Sequence, residues 1–358
     1  MNPVKLLLGS NGLKLILLVA LSVALVSCET VNYYSQAARG QLAIVLARED
    51  IQRLLVSSEN LSAELRSKFA TVLEIREFAE NELLLPVGDN YLSYVDVERE
   101  HVVWNVFAAA EFSVDPVNWC YPIAGCVAYR GYFSEIAAEN FAADMEADGF
   151  DVYTGGVDAY STLGWFKDSL LSTVMSRADY QLAGLIFHEL AHQLAYVPGD
   201  TTFNESFATA VEREGIRRWL ERSNQSDTIA MAQENAQRQQ NFTELVIRYR
   251  DRFDSLYQRE LPLADMRNQK EDLQQQLLDA YAQMKQGWGG YSGYDNWFAH
   301  SLNNAQLSTV GSYNDLVPFF DKLLRSEGGN LAGFYDEVKT LAGLDDVERE
   351  ALTTAEAP

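Results

Sequence analysis

His188-Glu189-Leu190-Ala191-His192 lies in a segment whose apolar residues Leu182, Ile186, Leu190 and Leu194 recur every fourth place, up to Pro198-Gly199. Such spacing marks a helix that buries one face, and Pro-Gly ends it. At 3.6 residues per turn, positions four apart share a face, so both imidazoles point the same way with Glu189 beside them. The chain holds 4 histidines in 358 residues, which makes a chance H-E-x-x-H rare. Leu185, Ile186 and Phe187 would also suit a buried helix whose histidines bind nothing, and that alternative stands beside the metal reading.

A catalytic zinc site needs three protein ligands and one open position for water. The metzincin place for a third histidine, six residues after His192, is Pro198, and neither His101 nor His300 stands in a ligand spacing. Thirteen residues beyond His192 comes Phe203-Asn204-Glu205-Ser206-Phe207-Ala208, at the start of a second amphipathic helix expected from Asn204 to Leu220. This is the gluzincin layout. His188, His192 and Glu205 are the candidate ligands for one Zn2+ per chain, and Glu189 the candidate general base for hydrolysing a peptide bond. Glu212 and Glu214 lie deeper in the same helix and read as solvated charges.

The rest of the chain sets the frame. Residues 1–27 read as an export signal, with Lys5 and Lys14 ahead of the apolar run Leu15–Val26, which is too short to span a bilayer comfortably. The run ends in Leu25-Val26-Ser27-Cys28, which resembles the bacterial lipobox, whose cysteine is lipidated; an uncleaved anchor is the alternative. Glu29, where an aspartate would be the inner-membrane retention signal, points by the same resemblance to the outer membrane, facing the periplasm. Cys120 and Cys126 then remain as a pair expected to form a short disulfide loop in an oxidising compartment. A formal charge of −23 repels phosphate backbones and excludes nucleic acid as an expected partner.

Apolar periodicity predicts two helices between Gln41 and Leu85, hinged near Ser57-Ser58 and ended by Pro86. Several strands are expected over Tyr91–Tyr132, which is rich in Val, Tyr, Phe and Trp, and a helix over Glu135–Met145. A strand from Gly149 to Thr154 should close at Gly155-Gly156, with a further extended segment near Val157–Leu163. From Asp227 to Gln286 a Gln-rich segment keeps helical spacing, with Lys270 the one exception, and breaks at Leu261-Pro262, which predicts a helical hairpin arm. Three short helices should follow, around Trp297–Leu307, Leu316–Leu323 and Phe334–Leu341, and the polar tail after Asp345 should fray. The expected fold is α+β and predominantly α: a zincin-like core with a small β-sheet next to the H-E-x-x-H helix, plus the arm. In segments this is a signal (1–27), an N-terminal helical part (28–90), a catalytic core (91–222), the arm (223–288) and a C-terminal helical part (289–358).

The sequence resembles a bacterial family of predicted zinc-dependent aminopeptidases, commonly lipoproteins. Beyond the zinc signature the likeness includes Tyr129-Arg130-Gly131-Tyr132-Phe133, Tyr153 to Phe166, Asn303-Asn304-Ala305, and Tyr313 with Val317-Pro318-Phe319-Phe320. It implies zinc, peptide or protein substrates, and attack at amino ends. The thermolysin-like pattern places an aspartate four residues after the ligand glutamate; here Thr209 stands there, so Thr209 or Glu212 must orient a zinc histidine. Val157–Trp165 is a candidate substrate-aligning edge strand. Tyr313 is a candidate oxyanion donor, Arg130 is expected to pair with a helix carboxylate, and Asn303 and Asn304 are expected to cap a helix. Two other functions fit: a periplasmic endopeptidase acting on envelope proteins, and a catalytically idle lipoprotein whose arm binds a partner.

Overall fold

The structure, a computed structural model, describes residues 31–57, 61–121, 125–160, 167–223 and 226–355. Helix α1 (residues 31–46) precedes β1 (Glu49–Asp50), α2 (Ile51–Ser57) and α3 (Ala63–Asn81). Strands β2 (Ser93–Val95), β3 (Val103–Ala110), β4 (Trp119–Tyr121), β5 (Gly125–Val127) and β6 (Arg130–Tyr132) follow, then α4 (Glu135–Ala147), β7 (Phe150–Val157) and β8 (Leu170–Leu171). Helix α5 (Asp179–Leu194) carries His188, Glu189 and His192, and α6 (Thr201–Ser223) carries Glu205. The long helices α7 (Ser226–Tyr257) and α8 (Leu263–Gly287) form the hairpin arm. The chain ends with α9 (Asp295–Phe298), α10 (Asn304–Asn314), α11 (Val317–Ser326), α12 (Leu331–Ala342) and α13 (Asp346–Ala355). The fold is α+β and predominantly α, with small sheets.

Three of the apolar cores among the described residues frame the site. The largest packs α3, α5, α6, α11 and α12 around Phe69, Phe78, Phe187, Phe207, Phe320 and Phe334, all within 2% of full burial. A second lies between the arm and helices α9 and α10, where the ring of Tyr281 stacks on Phe298 at 3.8 Å and that of Phe242 on Tyr294 at 4.3 Å. The third sits where α4 covers the antiparallel sheet β6-β3-β7. Lys270, the polar interruption in the arm's apolar stripe, is buried and donates to Asp151 Oδ2 at 2.7 Å and to the Glu111 carbonyl at 2.8 Å. It ties the arm to the sheet. Asn304 is wholly buried in the same seam, donating to the carbonyls of Ala110 and Glu111 while accepting from Tyr257 Oη.

Four local expectations are corrected. Helix α1 already includes residue 31, ten before the expected Gln41, and three helices replace two because Glu49 and Asp50 leave the helix to pair with Tyr94 and Ser93. Ser58 lies outside the described residues, and α3 ends at Asn81, ahead of Pro86. Strand β7 runs straight through Gly155-Gly156, because the His101 ring occupies the place of any side chain at 156: a Cβ there would stand 2.0 Å from it. The strand then stops at Val157, where the further extended segment was expected to begin, and 161–166 lie outside the described residues. The Trp297–Leu307 segment is two helices, since Asn303 Oδ1 accepts from the Gln306 N–H at 3.0 Å and starts α10 afresh. Over its described residues the tail is a helix and not frayed: Arg349, 3% exposed, pairs with Asp200 at 2.8 Å and lies over the Phe203 ring, which fixes α13.

Candidate metal centre

Helix α5 buries Leu182, Ala183, Ile186, Phe187, Leu190 and Ala191 completely and turns His188, Glu189 and His192 toward α6. Two glycines let the helices approach closely. A Cβ at Gly184 would meet Ile216 Cδ1 at 2.6 Å, and one at Gly215 would meet the Phe187 ring at 2.5 Å. The intervening turn is held by Asn204, 2% exposed, whose side-chain amide accepts from the Val197 N–H and donates to the Val197 carbonyl, each at 2.8 Å. Asp200 Oδ1 accepts from the Phe203 N–H at 2.9 Å in the first turn of α6. Gly199 has φ +93°, a conformation only glycine adopts without strain. Together these contacts set the entry angle of α6, and so the position of Glu205.

The result is a convergence of three ligand atoms. His188, His192 and Glu205 each offer one, all within 4.8 Å of one another. Glu205 Oε2 stands 3.3 Å from His188 Nε2 and 3.6 Å from His192 Nε2, and the two rings cross at 81° with centroids 4.9 Å apart. On its other side His188 Nδ1 meets Glu212 Oε2 at 3.1 Å. A proton on Nδ1, donated to Glu212, leaves the Nε2 lone pair facing a carboxylate oxygen. Lewis bases turned on each other in a buried site require a positive charge between them. The donor set, two imidazole nitrogens and one carboxylate, is that of a His2Glu zinc site, and the residues fit the ion.

Electrostatics express the same demand. Burial opposes charging His188, yet the hydrogen bonds its ring donates to Glu205 and Glu212 outweigh it and raise its pKa well above the ordinary 6.5. Burial likewise works against ionised Glu205, but the His192 and His188 rings hold it far below the usual carboxylate range. Burial raises the pKa of Glu189, against the pull of both imidazoles.

Other sequence candidates fall elsewhere. Glu214 is bound to Arg217 and Arg218, each at 2.7 Å, on a different face of α6. His101 pairs with Asp158 at 2.8 Å, and His300 packs on the Tyr153 ring. Arg130 lies over the rings of Tyr33 at 4.3 Å and Phe141 at 4.6 Å, contacts that join α1 to the sheet. Asn303 caps α10 and also donates to the Val152 carbonyl. Thr209 is buried beside the centre. Cys120 and Cys126 are joined across the β4–β5 hairpin. A Cβ at Gly125 in this hairpin would come within 2.5 Å of the Gly199 nitrogen, so the hairpin braces the turn between α5 and α6. Cys28 and the signal lie outside the described residues, as does the side chain of Tyr313 on α10.

Sequence reasoning assigned no role to two tyrosines near the centre. Tyr129, between β5 and β6, is placed against Phe107, and burial, with the charges of Glu205 and Glu189, raises its pKa. Tyr196, four residues after His192, sets its ring against that histidine, with centroids 6.4 Å apart. Only the Tyr129–Arg130 motif, with no spacing rule attached, hinted at the first. A cavity of about 290 Å3, lined by His188, Thr209, Glu212, Gln239, Phe242 and Tyr294, opens beside the centre, so the arm contributes to its wall. A larger cavity of about 510 Å3 borders Ala178–Tyr180, at the far end of α5, where no group of ligating residues is found among the described residues.

A family model described as "Putative aminopeptidase" matches residues 32–353. No curated protein and no solved structure matches the chain.

Proposed function

Because the chain belongs to the putative aminopeptidase family, we propose that it hydrolyses peptide bonds as a zinc enzyme, with His188, His192 and Glu205 as ligands. The observation that carries this reading is the convergence of those three ligand atoms within 4.8 Å, with Glu189 on the same helix. Bound there, the ion would supply Lewis acidity toward a substrate carbonyl and toward water. Glu189 takes the proton of the attacking water and passes it to the leaving amine. Glu212 holds the Nδ1 proton of His188 and so keeps its Nε2 lone pair turned inward. Tyr129, whose phenol interacts with Glu205 and Glu189, is our candidate donor to the developing oxyanion, beside Tyr313. We place the protein in the bacterial envelope, anchored through a lipid on Cys28.

Metal analysis of untagged protein should find about one zinc per chain. Glu189→Gln should lose peptide hydrolysis while keeping that metal. Folded protein without metal, or a Glu189→Gln variant as active as its parent, would overturn the reading. Products from one defined peptide, followed by mass spectrometry, separate removal of amino-terminal residues from internal cleavage.

A further inference from the structure

Helix α1 has two faces of different use. Tyr33, Gln36, Gly40 and Ile44 face the body: Tyr33 packs on Tyr132 and Tyr121, Gln36 accepts from the Phe133 N–H at 3.0 Å, and a Cβ at Gly40 would strike the Phe133 ring. The opposite face carries Val31, Tyr34, Leu42 and Leu46, which are 66%, 42%, 55% and 77% exposed. At 100° per residue these four fall within about 120° of arc. They form one apolar stripe along the helix, with the exposed Arg39 at its margin.

Charge favours the same region. The chain has 51 acidic residues, yet 30–48 contain none, and neither do 116–134; the acid-free run of equal length at 296–314 is mostly buried over 304–310. The first two stretches pack on each other through Tyr33, Tyr121, Arg130 and Phe133. A net charge of −23 repels anionic headgroups from the chain as a whole; here it presents tyrosines, aliphatic side chains and arginine. Among the described residues no helix is long and apolar enough to cross a membrane. The apolar run Leu15–Val26 and Cys28 stand immediately ahead of α1. The three residues from Cys28 to Val31 reach at most about 10 Å, so the first turn of α1 stays within that distance of an anchor at Cys28.

We propose that α1 lies in the plane of the bilayer surface, with Val31, Tyr34, Leu42 and Leu46 in the headgroup–acyl boundary, so that the folded body is held against the membrane in one orientation. The inference rests on the proposed anchor at Cys28; the juxtaposition of a docked helix, an outward apolar stripe and two packed stretches without carboxylates supplies the face. A helix of this kind adds apolar burial to the lipid anchor and fixes an orientation that a tethered lipid alone leaves free. Tyr34, 42% exposed, is suited to the interface, where a ring is buried and its hydroxyl hydrated. Because Tyr121 belongs to the hairpin that braces the α5–α6 turn, this orientation holds the metal centre at a constant height above the lipid. The inference is independent of whether that centre hydrolyses peptides.

The test uses the full chain reconstituted into vesicles of phosphatidylethanolamine and phosphatidylglycerol, with nitroxide labels on Leu42→Cys, Leu46→Cys and, as control, Val347→Cys. All three sites are exposed, so the substitutions leave the packing intact. At 42 and 46, collisions with oxygen should exceed those with a water-soluble nickel chelate several-fold; at 347 the order should reverse. The proposal is overturned if labels at 42 and 46 behave like the one at 347, or if the chain fails to float with the vesicles. It is also overturned if both probes are excluded at 42 and 46, as a covering protein or a second copy of the chain would produce.

Discussion

Replacing Glu212 tests how the centre is built, because the carboxylate touches no proposed metal position and acts only through His188. Its Oε2 lies 3.1 Å from Nδ1, and its side chain is 35% exposed against 14% for the imidazole. Partners that orient a ligating histidine typically contribute about 10- to 100-fold in metal affinity. Solvent access to Glu212 weakens its field at the ring, so the lower part of that range applies. Glu212→Gln keeps an oxygen acceptor and should weaken zinc binding about tenfold, or ~1.4 kcal/mol. Glu212→Ala frees the ring to rotate and should weaken it about 30-fold. Competition against a chelator of known affinity measures both, with Glu214→Gln as control, since Glu214 faces Arg217 and Arg218 instead. Helicity by circular dichroism confirms that each variant is folded. Zinc affinity within twofold of the parent in folded Glu212→Ala would refute the orientation argument.

Further outcomes follow from the same geometry. Tyr129→Phe should lower kcat about 10- to 100-fold, with KM nearly unchanged and the metal retained; equal loss in kcat for a variant that has shed its zinc would point to packing instead. Arg349→Ala leaves Asp200 without its buried partner and should cost about 2–3 kcal/mol in denaturant unfolding, whereas unchanged stability would mean that α13 is held by something else. In chelated protein, the raised pKa of His188 means its contribution to stability is complete below 6.5 and is lost as pH rises through its folded value. The depressed pKa of Glu205 means its contribution is complete above 4.5 and is lost as pH falls through its folded value. The Tm of the metal-free protein should therefore fall from pH 6.5 upward, and added zinc should abolish that fall by taking the place of the proton. A metal-free Tm that climbs steadily from pH 6 to 9 would contradict the cluster's charge state.

Local periodicity made much of this protein legible. The four-residue spacing in 182–194 marks α5 and the shared face of its imidazoles, because a helix turns through the same angle whatever surrounds it. The stripe between Asp227 and Gln286, broken at Leu261-Pro262, marks the two limbs of the arm for the same reason. Departures occur where a distant partner overrides a local signal. Gly155-Gly156 reads as a strand end until the His101 ring is found above it; Lys270 reads as a flaw until Asp151 lies opposite; and the tail reads as frayed until Arg349 reaches Asp200 and Phe203. Sequence alone left Glu212 between a solvated charge and, with Thr209, a partner for a histidine, because nothing in one helix reveals what faces it on the next.

By itself, then, the sequence determined which residue types are available to bind a cation and, through helix periodicity, that two imidazoles share one side of α5. Only the tertiary structure decided that Glu205 meets both rings, that Glu212 takes Nδ1 of His188, and that Tyr129 lies close by. Those distances depend on how α5 and α6 cross and how the hairpin leans on their turn, close approaches that the lack of a Cβ at Gly184, Gly215 and Gly125 permits. Periodicity is a property of one segment, whereas an interhelical distance is a property of every atom packed between two.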